Sequence, residues 1–147
     1  MKFTGSLAIA LAVLSGSAEA SVLWRWSYQG QGVSASGTFT TRDEPNADGF
    51  YEITGIGGEA DGAAITSLNQ AGTAIPGNEG YPVDNLVRMD RPQLTIHGFG
   101  FKIANGTYAN PFFAAHFAKP DYYAVHSDPV SGRTREPSVS FTAAIVP

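Results

Sequence analysis

Val22-Leu23-Trp24-Arg25-Trp26-Ser27-Tyr28 alternates apolar and polar side chains, and Val33-Ser34-Ala35-Ser36-Gly37-Thr38-Phe39-Thr40 does so again shortly afterwards. Successive side chains of an extended strand point to opposite faces. The first stretch therefore gathers Val22, Trp24, Trp26 and Tyr28 on one side and leaves Arg25 and Ser27 on the other. Between the two stretches, Gln29-Gly30-Gln31-Gly32 offers the glycines of a hairpin connection. Together they predict an opening antiparallel pair with one buried face.

The same period continues downstream. Further strands are predicted over residues 50–56, 64–68, 83–89, 94–103, 112–117, 122–127 and 138–146. Turn chemistry separates them: Asn46-Ala47-Asp48-Gly49, Gly57-Gly58, Asp61-Gly62, Pro76-Gly77-Asn78, Asn105-Gly106 and Ser131-Gly132. Short strands at near-regular spacing imply one all-β domain over residues 21–147, an antiparallel β-sandwich or partly closed β-barrel with short hairpin turns. In the last strand Val139, Phe141, Ala143 and Ile145 share the inward face. Its expected partner is the tryptophan-rich first strand, so the sheet should close or nearly close.

Upstream of this domain the pattern changes. Lys2 precedes an unbroken apolar run, Leu7-Ala8-Ile9-Ala10-Leu11-Ala12-Val13-Leu14, and Ala18-Glu19-Ala20 has the small-x-small form of a signal-peptidase site. Residues 1–20 thus read as a signal helix removed after Ala20, which makes the protein secreted or surface-located. The apolar run is shorter than the roughly 20 residues a membrane-spanning helix needs, so no span is expected in the mature chain.

Composition narrows the chemistry. The chain has no cysteine, which removes disulfides, thiolate zinc sites and cysteine nucleophiles, and leaves burial and hydrogen bonding to hold an exported domain together. The net charge is −4, and losing Lys2 and Glu19 with the leader does not change it. The remaining basic residues are scattered, so there is no electrostatic footprint for nucleic acid.

Five motifs carry a family likeness: Gly37-Thr38-Phe39-Thr40-Thr41, Tyr51-Glu52-Ile53-Thr54-Gly55-Ile56, Ala64-Ile65-Thr66-Ser67-Leu68, Asp84-Asn85-Leu86 and Gly98-Phe99-Gly100-Phe101. In this order they resemble bacterial PEP-CTERM exported proteins, which join a signal peptide, a β-rich domain of unknown activity and a C-terminal sorting tail. Members continue through Val-Pro-Glu-Pro into an apolar helix and a basic tail, whereas this sequence stops at Val146-Pro147. Either the chain is a free secreted member or the sorting tail is missing from the sequence. The resemblance implies a cell-surface or exopolysaccharide-matrix setting and supplies neither substrate nor catalytic residues.

Several side chains are candidates for function. Trp24, Trp26, Tyr28, Tyr108, Phe112, Phe113, Tyr122 and Tyr123 are many aromatics for this length. Exposed rings stack on sugar faces, which makes Trp24, Trp26, Tyr122 and Tyr123 candidate ligand-binding residues; the competing reading is core filling. Asp84 and Asn85 interrupt an apolar stretch and must find partners if buried. They are either a knot that satisfies loop backbone groups or part of a ligand site.

Acidic and histidine side chains are the candidates for metal. Asp43, Glu44 and Asp48 could gather oxygens around calcium, yet Asp43-Glu44-Pro45-Asn46-Ala47-Asp48-Gly49 lacks the alternation and closing glutamate of an EF-hand loop and reads first as a turn. Glu59 and Asp61 are a weaker case. His97, His116 and His126 have no ligand-like spacing. No cofactor is called for.

Catalytic signatures are sparse. No Gly-x-Ser-x-Gly elbow occurs, and nothing in the sequence brings together two of the acids Glu52, Asp84, Asp90 and Glu136 as a glycosidase pair requires. Asn105-Gly106-Thr107 matches a glycosylation sequon but is better explained as a tight turn. The expected function is a secreted, non-enzymatic β-sheet protein of the cell surface or extracellular matrix, with polysaccharide or surface components as partners. The alternatives are a carbohydrate-binding module using exposed aromatics and a small extracellular or periplasmic hydrolase.

Overall fold

The computed structural model describes residues 19–147; the signal-peptide reading therefore lies outside the described residues except at Glu19 and Ala20. The strands are β1 (Ser21–Gly30), β2 (Val33–Arg42), β3 (Tyr51–Ala60), β4 (Ala63–Leu68), β5 (Leu86–Val87), β6 (Phe101–Ile103), β7 (Tyr108–Ala114), β8 (Asp121–Asp128), β9 (Arg133–Arg135) and β10 (Val139–Ile145). All pair antiparallel in one curled sheet of order β10-β1-β2-β3-β4-β6-β7-β8-β9, with β5 added to β3. Among the described residues no helix is long and apolar enough to cross a membrane.

The opening hairpin forms as its alternation requires. β1 and β2 pair from Ser21↔Arg42 to Gly30↔Val33, with Gln31 and Gly32 at the turn. Trp24, Trp26, Tyr28, Val33, Ala35 and Phe39 are buried, and Ser27, Ser34, Ser36, Thr38 and Thr40 face solvent. A bulge between Thr40 and Thr41 changes the register. It leaves Thr41 fully buried, where its hydroxyl accepts a hydrogen bond from the Trp24 indole at 3.0 Å.

First and last strands pair as expected, Trp24↔Ile145, Trp26↔Ala143 and Tyr28↔Phe141. The chain that reaches β10 also joins the two ends of the sheet. β9 lies on β8 through His126↔Arg135, and the bridge Tyr123↔Ser138 continues that register before β10 diverges to β1. Where the two strands part, Gln93 fills the gap. Its amide donates to the Ala143 carbonyl at 2.8 Å and accepts from the Ala143 N–H at 3.0 Å, while its own N–H donates to the Tyr122 hydroxyl at 2.8 Å. One side chain thus replaces a rung of the ladder, which is why it is buried without penalty.

Three expectations need correcting. Gly57-Gly58 is not a turn: β3 runs through it to Ala60, and the hairpin lies at Asp61 and Gly62. Gly58 stands opposite Gly37, and a Cβ on either would overlap the facing strand's backbone, so these glycines permit close strand approach. Residues 83–89 keep only β5 as strand, because Pro82, the left-handed Asn85 (φ 55°) and Pro92 break the extended run. Residues 94–103 do follow the edge of β7, with Phe113 N–H donating to the Thr95 carbonyl and Phe99 N–H to that of Pro111, but they bulge outward at 96–98. β9 is a further strand, all three residues exposed and without apolar alternation to mark it.

The interior is a continuous aromatic cluster. Trp26 stacks on Phe39 at 5.1 Å with 7° between planes, and Phe99 meets both edge-on at 5.3 and 4.9 Å. Phe99 also contacts Phe101 and Phe141, and Phe141 contacts Tyr122. Burying each such ring contributes about 1.5–3 kcal/mol, and offset or edge-on pairs add about 0.5–1.5 kcal/mol. This cluster supplies the cohesion that a cysteine-free domain lacks elsewhere.

Candidate functional site

β7 and β8 are buried on both faces. Ala109, Tyr122, Ala124 and His126 line the interior, and Asn110, Ala114, Val125 and Ser127 lie under other chain on the outer side. That covering comes from residues 69–82 and from the bulge at 96–98. Between the covering chain and the strands lies a cleft of about 260 Å³ floored by Ala114 and Val125. Tyr81, Ile96 and Phe117 line it and are 67%, 44% and 43% exposed, so they offer apolar surface to solvent.

The bulge is held by side chains. Thr95 Oγ1 accepts from the N–H groups of His97 and Gly98, both at 3.1 Å, and donates to Asp84 at 2.6 Å. Gly98 has φ 63°, and a Cβ there would overlap the Pro111 carbonyl. Asn110, 2% exposed, ties the bulge down by donating to the carbonyls of His97 (3.0 Å) and Phe99 (2.9 Å). Its Oδ1 accepts from Asn78 at 3.1 Å, which fixes the opposite wall. Ile96 and His97 are thereby presented to the cleft rather than folded into the sheet.

His97, His116, Asn78, Asn110 and Glu136 supply polar groups to the cleft. His97 Nδ1 is 3.1 Å from the Pro82 carbonyl, which can only accept, so Nδ1 carries a proton and donates there. Glu136 falls between the pairs His126↔Arg135 and Tyr123↔Ser138, beside Val125. Partial burial raises its carboxyl above the ordinary range. His116 completes the rim, and Phe117 is steadied by Tyr123 at 4.8 Å, which in turn stacks on Phe112 at 6.3 Å.

A second polar group lies inside the sheet. His126 is 7% exposed; its Nδ1 donates to Asp61 at 3.2 Å, and its Nε2 accepts from the Tyr28 hydroxyl at 2.9 Å. Burial lowers the His126 pKa, Asp61 opposes that, and Arg135 adds to it. Burial, then Asp61, raises Tyr28 well above its ordinary value. The arrangement resembles a nucleophile–base–acid relay, but its hydroxyl is a sealed, weakly acidic phenol. It clamps β1, β8 and the β3–β4 turn together and presents no nucleophile to a substrate.

No known family model, characterised protein or solved structure matches the chain.

Of the aromatics singled out in the sequence, Trp24 and Trp26 lie in the core, and Tyr122 is inside with its ring on Phe113 and Phe141. None of the three offers a ring face to solvent. Tyr123 lies on the outer side, behind Phe117. Asp84 and Asn85 serve the loop: Asp84 accepts from Leu86 N–H and Thr95, and Asn85 donates to the Asn69 carbonyl at 2.7 Å and accepts from Gly100 N–H. Burial raises the Asp84 carboxyl, against the pull of its Thr95 bond.

The calcium candidates do not converge. Asp43 and Glu44 line a broad groove of about 560 Å³ beside Arg42, which is paired with Glu19 and Glu52 at 2.7 Å each, and Asp48 lies outside that lining. Asn46 closes the turn by accepting from the N–H groups of Asp48 and Phe50. Among the described residues no three His, Asp or Glu side chains are grouped to hold a metal ion. Sequence reasoning missed Tyr81 and Ile96, and placed Phe117 on a strand. The available signal was a large apolar side chain set among turn residues, as in Gly80-Tyr81-Pro82.

Proposed function

We propose that this is an exported, non-enzymatic β-sheet protein of the cell surface or extracellular matrix, and that it holds a saccharide in the cleft between Tyr81, Ile96 and Phe117. What supports the reading is the cleft's composition: exposed rings and an aliphatic side chain beside a few fixed polar groups, the combination that takes the apolar face and the hydroxyl edge of a sugar. Its volume, about 260 Å³, lies just below the roughly 300–1,000 Å³ of sites for drug-sized ligands. That suits one or two sugar rings better than an extended chain. The signal-peptide pattern read in the sequence of residues 1–20 and the resemblance to bacterial PEP-CTERM exported proteins fit the same setting.

The test is a glycan array probed with the protein and with Tyr81→Ala and Phe117→Ala. Binding that is lost in both variants, with stability unchanged, is the expected outcome. An array without signal, or one indifferent to both substitutions, rules the reading out.

A further inference from the structure

Resting on that saccharide reading, we infer that the cleft selects an amine-bearing sugar over neutral and acidic ones. The charged groups that face a ligand decide this. No lysine or arginine lines the cleft, and Glu136 is its one carboxylate. His97 commits its Nδ1 proton to the Pro82 carbonyl and so does not offer it to a ligand. Asn110 is spent on the carbonyls of His97 and Phe99, and Asn78 gives one hydrogen to Asn110.

A ligand entering this cleft meets one carboxylate and no lysine or arginine. Neutral sugar hydroxyls can bond to that carboxylate but bring no charge to it. A protonated amine supplies three donors and a positive charge that pairs with the Glu136 carboxylate. A uronate or sulfate brings a second negative charge beside Glu136 with no lysine or arginine to receive it, which disfavours binding. The apolar walls at Tyr81 and Phe117 are common to all these ligands, so they set affinity for the ring and leave the charge preference to Glu136.

The test is calorimetric titration of the protein and its Glu136→Gln variant with oligomers of glucosamine, glucose and glucuronate of equal length. The expected order is glucosamine tightest by about two- to fivefold over glucose, the scale of one partly exposed charge pair, with glucuronate weakest. In Glu136→Gln the glucosamine preference should vanish while glucose binding stays. Equal binding of the glucosamine and glucose oligomers, both lost in Tyr81→Ala, would overturn the amine selectivity and leave the saccharide reading intact. A preference that survives Glu136→Gln would also overturn it, and failure of all three oligomers to bind would overturn both readings.

Discussion

In β1 and β2 the backbone satisfies itself, strand to strand, and side chains only decide which face is inside. Across residues 69–100 the roles are reversed, with side chains completing what the backbone leaves open. Asn85, Thr95, Gln93 and Asn110 hold loop or strand groups that no neighbouring strand reaches. A self-paired sheet buries its apolar face and presents a plain hydroxyl-rich exterior. The side-chain-pinned segment can hold Ile96, His97 and Tyr81 in positions a regular strand would not give, and the cleft forms there. Rigid scaffold with function on the irregular chain packed against it is a common division of labour.

The contrast is most easily broken in the core. Trp26→Ala removes the ring that stacks on Phe39 and meets Phe99, and it should cost about 3–5 kcal/mol in urea unfolding. Trp26 Nε1 is the one buried side-chain polar atom among the described residues without a partner. Trp26→Phe should therefore recover more than half of that loss. If alanine there were nearly neutral, the aromatic cluster would not be what holds the sheet.

Next comes the seam. Gln93→Met keeps the volume but strands the N–H and C=O of Ala143, and it should cost about 2–3 kcal/mol, since each buried unsatisfied group costs about 1–3 kcal/mol. Amide exchange should accelerate at Ala143 before it does in the centre of β2. A loss below about 0.5 kcal/mol, the range of inert surface changes, would mean that the side chain does not replace a backbone rung.

The pH dependence probes the interior clamp. Burial depresses the His126 pKa below the ordinary value of 6.5, so under acid the unfolded chain takes up a proton that the folded one resists. Stability should be complete above about pH 6.5, fall as pH drops through that value, and level off below the folded pKa. The groups facing His126 are Asp61, Tyr28 and Arg135, and His126→Gln should flatten the slope through pH 6 while lowering stability at neutral pH. A slope unchanged in that variant would assign the acid sensitivity to another group.

The smallest effect on stability belongs to the cleft. Tyr81→Ala removes a ring that is two-thirds exposed and should change unfolding by no more than about 0.5 kcal/mol. A large loss would make Tyr81 a packing residue and the cleft a by-product of folding.

The same division explains what the sequence disclosed. Alternation from Val22 to Tyr28 and from Val139 to Ile145 was enough for the strands, their inward faces and their mutual pairing. It misled at Gly57-Gly58, because glycine serves a turn and a close strand approach equally well and only the facing Gly37 distinguishes them. Apolar residues at Val83, Leu94 and Phe99 are buried by an irregular path, which no period marks. Aromatic richness pointed at Trp24 and Trp26, the rings most useful to the core, whereas the exposed ones follow glycine or sit at a hairpin tip. The Gln93 seam joins residues fifty positions apart and left no local trace.

The most direct measurement is a heteronuclear NMR titration of the protein with a glucosamine oligomer, following backbone amides. The expected result is saturable shifts confined to residues 77–82, 95–98 and 112–117, with those of β1 and β2 unmoved. Shifts concentrated on the outer face of β1 and β2, or none at saturating oligomer, would contradict the claim that the side-chain-pinned segment carries the binding site.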